Sequence, residues 1–123
     1  MRGERLEVGI KSYEDLRVYK IGYELALKVH ILSQSFPNHE KYELGQQLRK
    51  AAVSIPLNIV EGYGRQSAKA EFRHFVRNAL GSSNEVIVLL KLTGDLGYAD
   101  TLALQNSYDE LGKQLYKLRE IWN

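Results

Sequence analysis

The sequence predicts an all-α protein: an antiparallel up-and-down four-helix bundle whose second helix is kinked at a proline. Four long segments of the 123-residue chain carry apolar side chains at helical spacing. The chain has two prolines, and glycine or proline marks the joints between the segments. A chain of this length can bury a core without cross-links. We expect one four-helix-bundle domain over residues 12–123, preceded by a flexible arm over residues 1–11.

The first helix is predicted from about Tyr13 to Ser33. Ser12 followed by Asp15 is typical of a helix start, because a serine hydroxyl and a carboxylate three residues later can satisfy unpaired backbone N–H groups. A face this rich in apolar residues predicts burial on more than one side. Its two overlapping stripes are Leu16, Tyr19, Tyr23, Ala26 and Val18, Ile21, Leu25, Val29, Leu32.

The second helix contains Pro56 in its interior. A proline there has no N–H to donate and crowds the preceding turn, at a cost of about 3 kcal/mol, so a bend is predicted. Gly62 is predicted to take the left-handed position just past the helix end. The apolar stripe of this helix is Leu44, Leu48, Ala51, Ile55 and Ile59.

A polar stripe also runs along the second helix. Gln47, Ser54, Asn58 and Glu61 share one face, although serine and asparagine are poor helix-interior residues. One interpretation is hydrogen bonding to another helix, or repair of the bond lost at Pro56. The other is a ligand-binding or catalytic role.

The third helix is predicted from a cap at Ser67 to about Leu96. Two seven-residue series form a seam along it. Between them lies an unbroken apolar run, which predicts either the centre of the core or a contact between copies of the chain. The run consists of Val86, Ile87, Val88, Leu89 and Leu90.

A short turn between the second and third helices predicts that they are antiparallel neighbours. Counting outward from Gly64 places Gln47 level with Gly81 and Ser82. We therefore expect Gly81 to be a point of close approach, and Ser82 and Glu85 to face the polar stripe.

The last helix is predicted to begin after a cap at Asp100 and to continue to the chain end. Asp109 and Lys113, four residues apart, form an ion pair on its solvent face. Its apolar stripe is Leu104, Tyr108, Leu111, Leu115, Leu118 and Trp122.

The distribution of basic residues is more informative than the net charge of +2. Steps of four along the third helix predict a basic ridge that could follow phosphates, or a solvated helix face relieved by nearby glutamates. Arg49 and Lys50 add charge one helix away, and either could pair with Glu85. The candidate nucleic-acid-binding residues are Arg49, Lys50, Arg65, Lys69, Arg73 and Arg77. Exposed tyrosines among the eight could stack on bases, but tyrosines more often fill bundle cores.

Enzymatic function is not predicted. The chain has no cysteine, and His30, His39 and His74 lie on different segments without the spacing of a metal site. No histidine or lysine is placed to activate Ser54. We expect no catalytic residue, no metal and no cofactor. We also expect a cytoplasmic protein without a membrane partner, because no signal peptide or spanning segment is evident.

The region from Gln47 to Gly64 resembles the signature of the bacterial four-helix-bundle family of 23S rRNA-intervening-sequence proteins. The resemblance extends from about Tyr13 to the chain end. Departures are Lys50, Val60 and Tyr19, where the family usually shows arginine, alanine and tryptophan. The residues that carry it are Arg49, Ala51, Ser54, Ile55, Pro56, Asn58, Ile59, Glu61 and Gly62, followed by Ala79, Gly81, Ser82 and Glu85.

The resemblance implies an up-and-down four-helix bundle that forms a homo-oligomer, with a pentameric ring as the expected assembly, and it does not imply an enzyme. A structurally similar family, the accessory variability proteins of diversity-generating retroelements, binds a reverse transcriptase and nucleic acid. The leading functional prediction is a non-catalytic scaffold associated with RNA or nucleoprotein, with RNA or DNA as a partner.

Two alternatives stay open at this point. One is a protein–protein interaction module without nucleic acid, for example an accessory subunit of a reverse transcriptase or another enzyme, with Val86–Leu90 as its oligomer interface. The other is an enzyme built on Ser54, Asn58 and Glu61, which would need a pocket open to water.

Overall fold

The computed structural model describes residues 10–122, and four long α-helices account for most of them. They are α1 (Arg17–Ser33), α2 (Leu44–Tyr63), α3 (Lys69–Asp95) and α4 (Leu102–Ile121). A 3₁₀ turn (Tyr13–Asp15) precedes α1, and a single helical turn (Asn38–Lys41) precedes α2. No strand occurs in residues 10–122. The prediction of an all-α fold with four long helices is therefore confirmed, while most of the predicted arm, residues 1–9, lies outside the described residues.

The start of the domain differs from the predicted continuous helix. The Ser12 hydroxyl accepts a hydrogen bond from the N–H of Glu14, and the carboxylate of Asp15 accepts from Lys11 and Ser12, as the capping pattern predicted. These backbone N–H groups hold the pKa of Asp15 below its usual value. The capped segment is a 3₁₀ turn, and Leu16 is extended (ψ 126°) before α1 begins.

The core is built from the predicted apolar stripes. Leu48, Ile55 and Ile59 of α2 are fully buried, as are Phe72 and Val76 of α3. Burial of each such side chain contributes about 1.5–3 kcal/mol. The helical periods of the sequence therefore place most of the core, but Tyr23 of the predicted first-helix stripe is 51% exposed, so this helix is not buried on every apolar side.

Contacts between α2 and α3 occur in reversed order along the two helices. Ser54 in the middle of α2 contacts Ser82, whereas Gly62 near its end lies against Phe72 and Phe75 at the start of α3. This order is the one expected for neighbours joined by a short turn.

The same order holds for the other consecutive helices. Ser83 of α3 bonds the Tyr108 carbonyl of α4, and Thr101 bonds the carbonyl of Leu90. Arg49 of α2 reaches Ser33 at the end of α1.

The predicted register between α2 and α3 is wrong by about two helical turns. Ser82 contacts Ser54, with the two hydroxyl oxygens 2.6 Å apart, and not Gln47. The prediction takes Gly64 as the centre of the turn between the two helices. Because α3 begins only at Lys69, the true centre lies further along the chain, and every pairing along α2 is shifted.

The roles predicted for two glycines are also wrong. Gly62 lies inside α2, and a Cβ there would come 2.9 Å from the Cβ of Phe75, so Gly62 permits the close approach of α2 and α3. Gly81 is exposed, and a Cβ there would meet nothing within 4 Å. Within residues 10–122, the glycine with positive φ is Gly97 (φ 79°), in the turn before α4.

Pro56 lies inside α2, which continues through it to Tyr63. A Cβ on Gly22 would lie 3.6 Å from the proline ring and 3.2 Å from Ile55. Gly22 therefore lets α1 lie against the part of α2 that contains the proline. None of the helices over residues 10–122 combines the length and apolarity needed to cross a membrane.

Candidate nucleic-acid interface

Basic side chains from two helices line one cleft of the bundle. Arg73, His74 and Arg77 of α3 and Arg119 of α4 surround a recess of about 340 Å³, with Ala70 as a further lining residue. We call this recess the arginine cleft. The sequence-predicted ridge supplies two of its three arginines, and the third comes from the opposite end of the chain.

A stacked aromatic pair positions the two walls of the arginine cleft. The rings of Phe72 and Trp122 lie 4.2 Å apart between centroids, and both side chains are buried. This contact ties the end of α4 to the start of α3, so Arg119 comes opposite Arg73 and Arg77. The buried position of Trp122 follows from the α4 stripe. Residues at equal distances from the turn at Gly97 lie opposite one another on α3 and α4, and this count would have placed Arg119 near Arg73 and Arg77.

Arg65 is engaged in contacts within the protein. Its guanidinium donates to Glu61 at 2.7 and 3.1 Å and to Glu71 at 3.3 Å, and it lies 5.4 Å from the ring centroid of Phe75. The hydrogen bonds to Glu61 and Glu71 raise the pKa of Arg65. The predicted ridge is therefore divided, because Arg65 is neutralised locally while Arg73 and Arg77 face the cleft.

Lys69 and Arg73 stand at the start of α3, where the helix dipole disfavours positive charge. Both are exposed, and Glu71 supplies the acidic side chain of the first turn. Cations concentrated at the positive end of a helix raise the local potential, which favours an anion at that end.

Arg49 lies at the other end of α2. Its guanidinium donates to the Ser33 hydroxyl at 2.9 Å and to the Lys41 carbonyl at 3.0 Å. Sixteen residues of helix and turn separate it from Arg65, a rise of about 24 Å. Lys50 beside it is exposed. The structure therefore does not bring Arg49 and Lys50 to the arginine cleft, and Arg49 does not pair with Glu85.

The polar stripe of α2 forms a small hydrogen-bond network. The Asn58 amide donates to the Ser54 carbonyl at 2.8 Å and to the Ser54 hydroxyl at 3.1 Å, and that hydroxyl bonds Ser82. These side chains are half-buried between α2 and α3. Gln47 is exposed, and Glu61 bonds Arg65. The network joins two helices and satisfies its members, while Gly81 and Glu85 face outward.

The predicted oligomer interface is split between core and surface. Val86, Leu89 and Leu90 are buried within the chain, Ile87 is half-buried, and Val88 is 63% exposed. The sequence offered two alternatives for this run, the centre of the core or a contact between copies of the chain. The structure places most of the run in the core and leaves Val88 facing outward.

A second surface feature was not singled out from the sequence. Tyrosine and aliphatic side chains of α1 and α2 line an apolar groove of about 390 Å³. Tyr23, Leu27 and Leu57 are each more than half exposed. The wide apolar face of the first helix was its signal in the sequence. The groove is lined by Tyr13, Tyr19, Tyr23, Ala26, Leu27, His30, Val53, Pro56, Leu57 and Val60.

Within residues 10–122, no group of three or more His, Cys, Asp or Glu side chains is arranged to hold a metal ion. Residues 14–118 match the model of the 23S rRNA-intervening sequence protein family. Comparison with curated protein sequences gives no significant match. Because the family match covers most of the chain, the protein belongs to the 23S rRNA-intervening sequence protein family.

Proposed function

We propose that this member of the 23S rRNA-intervening sequence protein family is a non-catalytic, homo-oligomeric scaffold that associates with RNA or nucleoprotein in the cytoplasm. The observation that carries the proposal is the arginine cleft, in which Arg73, Arg77 and Arg119 converge from two helices. Lys69 extends the basic surface at the start of α3.

The chemistry of this cleft suits phosphate. Guanidinium groups donate paired hydrogen bonds to phosphate oxygens and remain charged at any physiological pH. Among residues 10–122, no carboxylate side chain lines the cleft. Glu61 and Glu71 bond Arg65, and Glu120 bonds Arg119 at 3.0 Å. Arg73 and Arg77 of α3 are thus presented to an anion, while Arg119 is shared between the cleft and Glu120.

The proposal is non-catalytic because the candidate catalytic group has a structural explanation. Ser54, Asn58 and Ser82 bond one another between α2 and α3, and Glu61 bonds Arg65. A nucleophilic serine needs an adjacent base, and the Ser54 hydroxyl contacts a hydroxyl and an amide. No cofactor is part of the proposal.

The homo-oligomer is supported by exposed apolar surface. The α1–α2 groove places Leu27 and Leu57 in solvent, and large apolar patches are characteristic of interaction sites. A pentameric ring, as the resemblance implies, would be built from protomers in which the four helices alternate in direction. The reversed order of contacts supports that arrangement, and a bend of α2 at Pro56 is expected within it.

The α1–α2 groove also favours a second candidate function. Its size falls in the range of ligand and peptide sites, and its lining is largely apolar. A protein–protein interaction module, such as an accessory subunit of a reverse transcriptase or another enzyme, could bind a partner there without contacting nucleic acid.

The experiment is binding of the purified protein to a structured RNA and to an unrelated duplex across a salt series, with the particle mass measured in the same buffers. We expect micromolar or tighter binding that weakens steeply with salt, because several phosphates are neutralised. The double variant Arg73→Glu/Arg77→Glu should lose about 100-fold in affinity at unchanged stability.

The matched control is Lys28→Glu/Lys91→Glu, which makes the same charge change at exposed positions outside the cleft. It should retain most of the affinity. No binding by the wild-type protein at low salt contradicts the nucleic-acid function and leaves the interaction module. If both double variants lose affinity equally, the effect belongs to net charge and not to the cleft.

The oligomer is tested separately. Leu57→Asp, in the α1–α2 groove, and Val88→Asp, in the run predicted as an interface, each place a charge on an exposed apolar position. Dissociation by one of them identifies the contact, and a wild-type mass equal to one chain excludes the homo-oligomer. Leu89→Asp is unsuitable because Leu89 is buried in the core of its own chain.

A further inference from the structure

An exposed aromatic side chain stands beside the arginine cleft. Tyr116 of α4 is 54% exposed and lies three residues before Arg119, so the two side chains share a face of the helix. The guanidinium carbon of Arg119 is 5.4 Å from the Tyr116 ring centroid, in a cation–π contact. This contact holds the tyrosine ring next to a cleft-lining arginine while much of the residue stays in solvent.

The recess between the helices is small and concave. Its volume of about 340 Å³ is at the lower end of the range for small-molecule sites, which corresponds to a group of nucleotide size. Ala70 contributes only a methyl group to the lining, so it does not fill the space between Arg73 and Arg119. A backbone phosphate can enter such a recess and accept hydrogen bonds from its guanidinium groups.

The pairing of cationic and aromatic groups distinguishes between forms of nucleic acid. Proteins that bind single strands combine a basic groove for the backbone with aromatic faces on which bases stack. In a duplex the bases are stacked on one another and are not available to a surface tyrosine. Within this protein, Arg73, Arg77 and Arg119 supply the backbone contacts and Tyr116 supplies the stacking face.

We infer that the arginine cleft binds single-stranded nucleic acid in preference to duplex, with a phosphate between Arg73, Arg77 and Arg119 and the adjacent base stacked on Tyr116. The inference rests on the proposed function, which it narrows from nucleic acid in general to one conformational class. The phosphate and base chemistry is common to RNA and DNA, so the test carries both.

The experiment measures affinity by fluorescence anisotropy at low salt for three labelled probes of one sequence, about 12 nucleotides long. They are a single-stranded RNA, the single-stranded DNA and the blunt RNA duplex. The proteins are wild type, Tyr116→Ala, Tyr116→Phe and Arg73→Glu/Arg77→Glu. The matched control is Tyr42→Ala, because Tyr42 is 75% exposed but lies beside the start of α2, at the opposite end from the cleft.

We expect wild-type protein to bind at least one single strand about 10-fold more tightly than the duplex. Loss of one stacking face should weaken single-strand binding about 5- to 100-fold in Tyr116→Ala and leave duplex binding unchanged. Tyr116→Phe keeps the ring and should stay within about twofold of wild type. Equal wild-type affinities for the RNA and the DNA strand show that the 2′-hydroxyl is not read, and a difference identifies which strand is preferred.

Two outcomes overturn the inference. One is a duplex affinity equal to or greater than that of both single strands. The other is a Tyr116→Ala variant that binds single strands as tightly as Tyr42→Ala does, while Arg73→Glu/Arg77→Glu has lost binding. In that case the proposed function stands without the stacking site. Failure of wild-type protein to bind any of the probes overturns the proposed function itself.

Discussion

The two ends of the bundle use arginine in opposite ways. At the end where the α1–α2 turn meets the α3–α4 turn, Arg49 is held by Ser33 and the Lys41 carbonyl. At the other end, Arg73 and Arg77 line an open cleft that also contains Arg119. We call these the closed end and the cleft end.

The closed end also holds Tyr98 through contacts within the protein. The Tyr98 hydroxyl donates to the Glu40 carboxylate at 2.9 Å, and the Tyr98 ring lies 5.8 Å from that of Phe36. Gly45 provides room for Arg49, since a Cβ there would lie 3.0 Å from the guanidinium nitrogen. The difference shows that charge alone does not identify a candidate ligand contact, because Arg73 and Arg77 face the cleft whereas Arg49 is held by contacts within the protein.

The largest effect on stability is expected at the closed end. Arg49→Ala should lower the free energy of unfolding by about 1–3 kcal/mol, because the Lys41 carbonyl and the buried Ser33 lose a charged donor. Urea unfolding measures the change. RNA affinity should stay at the wild-type value.

The neighbouring residue provides the control for this variant. Lys50→Ala removes the same charge from an exposed position and should change stability by no more than about 0.5 kcal/mol. A loss of RNA affinity in Arg49→Ala without a loss of stability would reverse the comparison, because it would place Arg49 on the nucleic-acid surface.

The next effect concerns the helix contact that sets the cleft end. Gly62→Ala and Gly81→Ala both replace a helical glycine, although Gly62 is the next-to-last residue of α2 and gains less helix propensity than the mid-helix Gly81. The new methyl meets Phe75 at position 62 and open space at position 81. We expect Gly62→Ala to be less stable than Gly81→Ala by about 1–3 kcal/mol, the cost of overpacking. Thermal and urea unfolding of the pair tests this, and equal stabilities would show that α2 and α3 separate without cost.

The same pair of glycines shows what the sequence could predict. Apolar periodicity identifies α1 to α4 and their core faces, since each stripe depends on one helix alone. The register between helices depends on the number of residues in the turn. The sequence from Gly64 to Lys69 does not show where α2 ends and α3 begins, so the length of this turn is not predicted. The resulting error in the register assigned the close approach of α2 and α3 to Gly81 instead of Gly62.

The arginine cleft was predictable in part for a related reason. Arg73 and Arg77 share a face of one helix, so their spacing reveals them. Arg119 lies on α4, so its place opposite them depends on how α4 packs against α3, which includes the Phe72–Trp122 stack. The internal partners of Arg49 depend on the path of a turn, and periodicity carries no information about it.

A smaller, pH-dependent effect is expected from Tyr98 at the closed end. The hydrogen bond to Glu40 raises the pKa of Tyr98, so its contribution to stability is present below the ordinary tyrosine pKa of about 10 and is lost as pH rises through the raised value. Wild type should melt above Tyr98→Phe near pH 8, and the gap should close at alkaline pH. A gap that stays constant from pH 8 to 11 would contradict this contribution; the other tyrosines titrate in both proteins and cancel.

The smallest effect is expected between the two ends, at Tyr108 in the core. Tyr108 is fully buried, and burial raises the pKa of its hydroxyl, which has no hydrogen-bond partner within residues 10–122. A buried polar group without a partner costs free energy, so Tyr108→Phe removes that cost and keeps the packing of the ring. We expect the variant to equal wild type or to gain up to about 1 kcal/mol in urea unfolding. A loss of about 1 kcal/mol or more would mean that the hydroxyl is hydrogen-bonded in solution, and Tyr108 would then resemble Arg49 and Tyr98 at the closed end, whose polar groups have partners within the protein.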